Sequence, residues 1–170
     1  MTISRMLLAL AFLAGCQTAP ADPPAAQDMT MTFRILHSGA YGVAASAEPG
    51  TAREARVAVA STENEYETLW RAHVGDAPRP AVDFARESAI FLLLGQRTTG
   101  GWSVAPESVT IRGDAADVTA AIGRPEPGGV TTMAFSAPYA VIAVSRPGLD
   151  GATWKGPGGN VVASAAEPPR

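Results

Sequence analysis

The sequence predicts a mainly β fold: a two-layer sandwich or distorted barrel of about seven strands with one packed α-helix. Three observations predict it. Turn signals recur at short intervals, supplied by 17 Gly and 14 Pro in 170 residues, and such a composition favours many reversals over long helices. Between the turns lie short runs that alternate apolar with polar residues or are apolar throughout, as strands do. Only one stretch, Thr62 to Gly75, carries a helical pattern with matching end signals. With 46% hydrophobic and 17% charged residues, the chain has enough apolar material for one core, and its length leaves no comfortable room for a second domain.

Taken in order, residues 1–15 read as a signal peptide. Arg5 supplies the positive start and Met6 to Ala14 a short apolar core, far below the roughly 20 residues a membrane-spanning helix needs. The end of this segment, Leu13-Ala14-Gly15-Cys16, resembles a bacterial lipobox. That resemblance implies cleavage before Cys16, a diacylglycerol on its sulfur, palmitate-type acylation and a mature N-terminus at Cys16. The competing reading is an ordinary secretory signal with an incidental cysteine. There is one Cys in the chain, so no intrachain disulfide can form. Attached acyl chains contribute about 0.8 kcal/mol per buried CH₂, and several together anchor stably. Gln17 follows the cysteine; likeness to Gram-negative lipoproteins implies that a residue other than Asp here directs the protein to the outer membrane, facing the periplasm.

Residues 16–30 are rich in Ala and Pro (QTAPADPPAAQD) and too poor in large apolar side chains to fold alone, so they are expected to be a flexible tether. The β domain is expected over 31–146. Phe33, Ile35 and His37 alternate like a strand, Ser38-Gly39 turns it, Tyr41-Gly42-Val43 continues it, and Glu48-Pro49-Gly50 is a loop. Arg56 to Ala60 alternates again. In the helix, Thr62 and Glu65 have capping-box spacing. Glu63 and Glu65 lie at the positive end of the dipole and Arg71 and His73 at the negative end. Tyr66, Leu69, Trp70 and Val74 share the apolar face, and Gly75 suits the residue after the C-cap.

The chain is organised around Val82 to Val104 (VDFARESAIFLLLGQRTTGGWSV). Ala89 to Leu94 is an unbroken apolar run, the mark of a strand buried on both faces. Gln96 to Trp102 is a polar turn with a double glycine, and Trp102 and Val104 open the next strand. The expectation is a hairpin whose first strand lies mid-core and whose turn faces solvent. Pro106 argues for an edge or bulged strand. Arg112-Gly113-Asp114 is a hairpin turn before its likeness to an integrin-type tripeptide counts. Val118 to Ile122 and Tyr139 to Val144 are further strands, and Pro125 to Gly129 is a loop. Residues 147–170 form a Gly/Pro-rich tail in which Trp154 and Val161-Val162 leave room for one short hairpin.

Val82-Asp83-Phe84, the apolar strand, Gly95 and Thr99-Gly100-Gly101 followed by aromatic Trp102 resemble the C-terminal domain of the PrcB protease-complex subunit family. The likeness is densest from Trp70 to about Ser145, with Tyr139 to Val144 matching the closing strand. Trp102 stands where that family more often has Tyr or Phe. The resemblance implies a surface-tethered interaction module that helps an envelope protease assemble or persist. Two alternatives stand beside it. Thr98-Thr99-Gly100, Pro127-Gly128-Gly129 and Arg146-Pro147-Gly148 faintly resemble the three loops of chagasin-type cysteine-protease inhibitors, although the first lacks Asn-Pro and the third an aromatic. A purely structural envelope lipoprotein is the other.

Several function classes find no support. Net charge is −3; cleavage before Cys16 would remove only Arg5, leaving 12 basic against 16 acidic residues, or −4. No basic stretch stands out for nucleic acid. His37 and His73 have no metal-ligand spacing, and G-x-S-x-G, H-E-x-x-H and P-loop patterns do not occur. Asp83 reads as a turn or cap residue, since Asp readily accepts nearby backbone N–H groups. The sequence therefore predicts no enzyme, no cofactor, no metal and no small-molecule substrate. Its candidate sites are Cys16 for lipidation and Thr98, Thr99, Gly100, Gly101 and Trp102 for a protein partner. Thr98 and Thr99 are exposed in this reading, the glycine N–H groups are open to a partner, and Trp102 either anchors that partner or points into the core.

Overall fold

The computed structural model of the chain describes residues 28–40 and 54–166. The signal segment, Cys16, most of the tether, the continuation at Tyr41 to Val43 and the loop at Glu48 to Gly50 lie outside the described residues. Nine strands and one helix follow in order: β1 Met29–Met31, β2 Phe33–Gly39, β3 Arg56–Ala60, α1 Glu63–His73, β4 Ser88–Leu93, β5 Ser103–Arg112, β6 Ala115–Gly123, β7 Tyr139–Val144, β8 Gly151–Lys155 and β9 Val161–Ala166. They form a five-stranded sheet in the order β1-β5-β6-β8-β9 and a four-stranded sheet in the order β2-β7-β4-β3. The protein is mainly β, a sandwich and not a closed barrel, with nine described strands where about seven are expected.

The apolar runs of β4 and β7 explain themselves once three layers are seen. In β4, Ile90 and Leu92 face the gap between the sheets, beside Val104, Val109, Ile111, Val118 and Trp154. Ala89, Phe91 and Leu93 face the other way, against Tyr66, Trp70 and Val74 of the helix side. In β7, Ala140, Ile142 and Val144 enter the first core while Tyr139 and Val141 enter the second. Strand periodicity sends successive residues to opposite faces. A strand covered on both faces is therefore apolar nearly throughout, as these two are; the buried polar residue at the start of β4, Ser88, is hydrogen-bonded.

The helix docks as its pattern predicts. Glu65 N–H donates to Thr62 Oγ1 (3.3 Å) and Thr62 N–H to Glu65 Oε2 (3.1 Å), the reciprocal capping box. Gly75 closes the far end at φ 86°. Tyr66 and Trp70 are buried and meet edge to face at 5.5 Å, and Trp70 Nε1 donates to the Ala77 carbonyl. Phe84 packs on this core while remaining partly exposed. His73 lies in the last turn of the helix, where burial, and then the charge of Arg56, hold it below the ordinary histidine value and weaken it as a helix-end cation. Asp83 caps a turn, accepting the Ala85 N–H at 3.1 Å.

The expected hairpin from Val82 to Val104 does not form. β4 pairs with β3 and β7, whereas β5 pairs with β1 and β6 in the other sheet. Gly95 to Trp102 is a crossover between layers. The reason is burial: β4 has a hydrogen-bonded neighbour on each side and a core on each face, leaving β5 no edge of it to pair with. The register shift between Pro106 and Ser108 is the bulge the proline signals. It lets Val104 and the odd-numbered Val109 and Ile111 all face inward.

The C-terminal stretch is built into the sandwich. β8 runs parallel to β6, Ala115 opposite Gly151 and Thr119 opposite Lys155, and β9 returns antiparallel along β8. Buried Ser88 accepts the Leu149 N–H and Ser61 donates to the Leu149 carbonyl, which fixes the passage from β7 to β8. Trp154 is fully buried and donates from Nε1 to the Ala120 carbonyl at 3.1 Å. Truncating such a side chain costs about 3–5 kcal/mol, against a domain stability of about 5–15 kcal/mol. Trp154→Ala should therefore lower the urea midpoint sharply; a midpoint within error of wild type would mean that this strand is not docked.

Arg34 on β2 clamps the lead into β4, with Nε 3.2 Å from Glu87 Oε1 and Nη2 3.0 Å from Oε2. This hydrogen-bonded pairing holds the Glu87 carboxyl below its ordinary value. A depressed folded value means the pair stabilises the fold above the unfolded carboxylate value and is lost as pH falls through the folded one. Denaturant titrations between about pH 7 and pH 3 should show a shallower acid-side loss of stability in Arg34→Ala than in wild type, and identical slopes would discount the pair.

Candidate functional site

The crossover from β4 to β5 and the chain between β6 and β7 meet at one end of the sandwich. Beyond Leu93, the β4–β7 pairing runs on through Leu94 N–H to the Pro138 carbonyl at 2.9 Å. Arg97 and Ser136 then exchange both backbone hydrogen bonds, at 2.7 and 2.9 Å. Ser136, fully buried, donates its hydroxyl to the Thr99 carbonyl at 2.7 Å. Gly100 N–H donates to the Thr132 carbonyl at 3.0 Å. The crossover is thus stapled along its length to the segment 130–138.

This corrects the expectation of an open turn. Gly95 and Gly100 are buried, and the Gly100 N–H is already used by Thr132. Gly101 is required for its backbone. It lies at φ +83°, and a Cβ there would stand 3.0 Å from Pro125 Cβ. Thr98 is exposed and Thr99 half-buried. Trp102 is half-buried, with one part packed on the inter-sheet core and its Nε1 pointing to Thr99 Oγ1 at 3.4 Å. It both lines the core and reaches the surface.

Two residues that carry this site have no signal in the sequence. The Arg97 and Arg124 guanidiniums lie 5.5 and 6.0 Å from the Trp102 ring centroid, an arrangement favoured by the negative ring face. Register brings Arg124 here, because Gly123 of β6 sits opposite Ser103 of β5. Arg97 also donates to the Leu94 carbonyl at 2.7 Å and to the Gln96 carbonyl at 3.2 Å. Burial and the nearby positive charge of Arg124 lower its hold on the proton. Also unassigned by sequence is an apolar set on the covering segment: Val130 is fully exposed, Met133 91% and Phe135 57% exposed. These are three of the six large hydrophobic side chains exposed among the described residues, and all fall within one loop.

The strands that frame this end are β4, β5, β6 and β7. Residues 88–145 match the family model described as PrcB C-terminal. The PrcB-like segment therefore begins at β4 and closes just after β7, taking in the crossover, both arginines and the exposed loop. The helix, the Val82-Asp83-Phe84 lead and the β8–β9 hairpin fall outside it. No curated protein and no solved structure gave a significant match.

The three loops that resemble a chagasin-type edge do not share an end. The loops at Thr98 and Pro127 flank the crossover, but Arg146 follows Val144, at the far end of the β4–β7 pairing. It binds Asp114 in the β5–β6 turn at 2.9 Å. That turn, with Gly113 at φ 61°, is structural: Arg112 pairs with Asp28 and Asp117, so its Arg-Gly-Asp tripeptide is held in ion pairs. His37 bonds the Tyr139 hydroxyl through Nδ1 at 2.9 Å, and among the described residues no group of three or more His, Cys, Asp or Glu is placed to hold a metal.

Gly101→Val should lower the thermal midpoint through a loss of about 1–3 kcal/mol, the usual cost of a side chain held in a sparsely allowed conformation. Thr98→Ala with Thr99→Ala should leave it nearly unchanged. Scanning calorimetry on the two variants decides, and a Gly101→Val protein that melts like wild type would refute the stapled geometry.

Proposed function

We propose that the chain is a lipoprotein of the outer membrane, anchored through a diacylglyceryl group on Cys16, whose PrcB-like β domain binds another envelope protein and supports a protease complex. The observation that carries the binding half is the loop of Val130, Met133 and Phe135 held on a rigid base. Apolar side chains in a loop ordinarily fold under, because exposing them forfeits about 25 cal/mol per Å². Here Ser136, Thr132 and Thr99 fix the loop backbone while the side chains stand in solvent. Grouped apolar exposure of this kind marks interaction surfaces, and rigidly mounted loops are where binding residues concentrate. The protease partner rests on the PrcB C-terminal likeness, and the anchor rests on the lipobox-like end of the signal. The reading assigns the chain no reaction of its own.

Cys16→Ser removes the sulfur that would carry lipid, so the protein should move from the membrane fraction to the soluble one. A Cys16→Ser chain that stays bound in high salt and still partitions into detergent would refute the anchor. A photo-crosslinking side chain in place of Phe135, activated in intact cells, should yield a discrete adduct with a second envelope protein. Absence of any adduct would remove the binding half.

A further inference from the structure

Six arginines of this fold face a carboxylate. Arg34 meets Glu87, Arg71 meets Glu67, Arg79 meets Glu63, Arg86 meets Asp83, Arg112 meets Asp28 and Asp117, and Arg146 meets Asp114. Arg124 is exposed and forms no ion pair among the described residues; its partner is the face of Trp102. Glu126, two residues on, is also exposed and makes no ion pair with it. Arg97 shares the same ring, so two guanidiniums stand over one indole. Met133, Val130 and Phe135 expose apolar surface on the loop whose backbone is bonded to this crossover.

We infer that this end of the sandwich receives a protein segment in which a carboxylate is flanked by apolar side chains, the carboxylate docking on Arg124 above Trp102 and the apolar groups on Met133, Val130 and Phe135. The inference rests on the interaction-module reading and adds the chemistry of the partner. A guanidinium laid on an aromatic ring keeps its edge N–H groups free in a planar fork, the geometry that grips a carboxylate at two points. The chain's own negative net charge, −3, does not oppose this at contact, because charges beyond about 8 Å are largely screened at physiological salt.

A lipid surface is the competing occupant, since exposed apolar groups beside cations also suit anionic headgroups. Chain polarity argues against it. β1 pairs with Val109 to Ile111 of β5, whereas Trp102 immediately precedes Ser103 at the opposite end of that strand. With a rise of about 3.3 Å per residue, the N-terminal strand and the loop end lie roughly 25 Å apart. An anchor reached through β1 would join the domain at the end of this sheet remote from the loop.

The test selects short random displayed peptides on the full-length lipidated protein held in detergent. Enriched peptides should carry Asp or Glu beside Leu, Ile, Phe or Met. Their affinity should fall roughly tenfold on Arg124→Ala and on Met133→Ser, and weaken as salt rises from about 0.05 to about 0.5 M. Both substitutions lie on exposed side chains, so unchanged melting confirms an intact fold. Selected peptides without carboxylates, no selection at all, or binding indifferent to Arg124→Ala overturns the inference. A second arm offers phosphatidylglycerol vesicles to the Cys16→Ser chain; sedimentation that depends on Arg124 and Met133 assigns the patch to membrane and overturns it too. The crosslinking site at residue 135 separates the failures. An adduct that survives Arg124→Ala leaves the interaction-module reading standing and removes only this one, while loss of every adduct removes both.

Discussion

The pairing of β4 with β7, from Ser88 opposite Val144 to Leu93 opposite Tyr139, is the constraint on which the rest depends. These two strands are the only ones whose every residue is buried among the described elements. They divide their side chains between two cores, one facing the second sheet and one facing the helix. Each layer therefore packs on a surface the other layer helps to hold in place. The same pairing continues past Leu94 and sets where the crossover and its covering segment meet, so the exposed loop inherits its position from the most buried part of the molecule.

How much of this can be read from the chain depends on the range of the physics involved. Helix α1 is legible because its determinants are local: Thr62 caps Glu65, and Tyr66 and Trp70 share a stripe. The two apolar strands are legible because burial on both faces removes alternation altogether. What cannot be read is partnership. A run such as Ala89 to Leu94 states that it is covered, not by what, and the nearest following strand is the natural guess. The hairpin expectation fails there, since β5 joins the other sheet. β8 is marked only by Trp154, and its parallel partner β6 lies more than thirty residues earlier, beyond any local signal.

The candidate site divides in the same way. Glycines and an aromatic at Thr98 to Trp102 announce a backbone with special needs, and Gly101 at positive φ bears this out. The sequence overstates how open the turn is, because the Gly100 N–H finds its acceptor, Thr132, in a segment with no strand pattern. It understates the surroundings: Arg97 and Arg124 are ordinary surface arginines until register sets both on Trp102. Val130, Met133 and Phe135 look like core material in a string, and only the geometry shows them turned outward. The backbone beside them is bonded inward at Thr132 and Ser136, while their own side chains stand in solvent.

The parallel docking of β8 on β6 also bears on when the protein can finish folding. The inter-sheet core lacks its largest fully buried side chain until Trp154 arrives, and the pairing that brings it in joins Val118 to Trp154 across about a fifth of the chain. Non-local closure of this kind is slow compared with helix or hairpin formation. A chain threaded N-terminus first through a narrow export channel would emerge with β1 to β7 but without the strand that seals them. It would stay pliable through the whole passage and lock only after its final strands came free. A fold that completes from its trailing end is compatible by construction with being moved across a membrane before it exists.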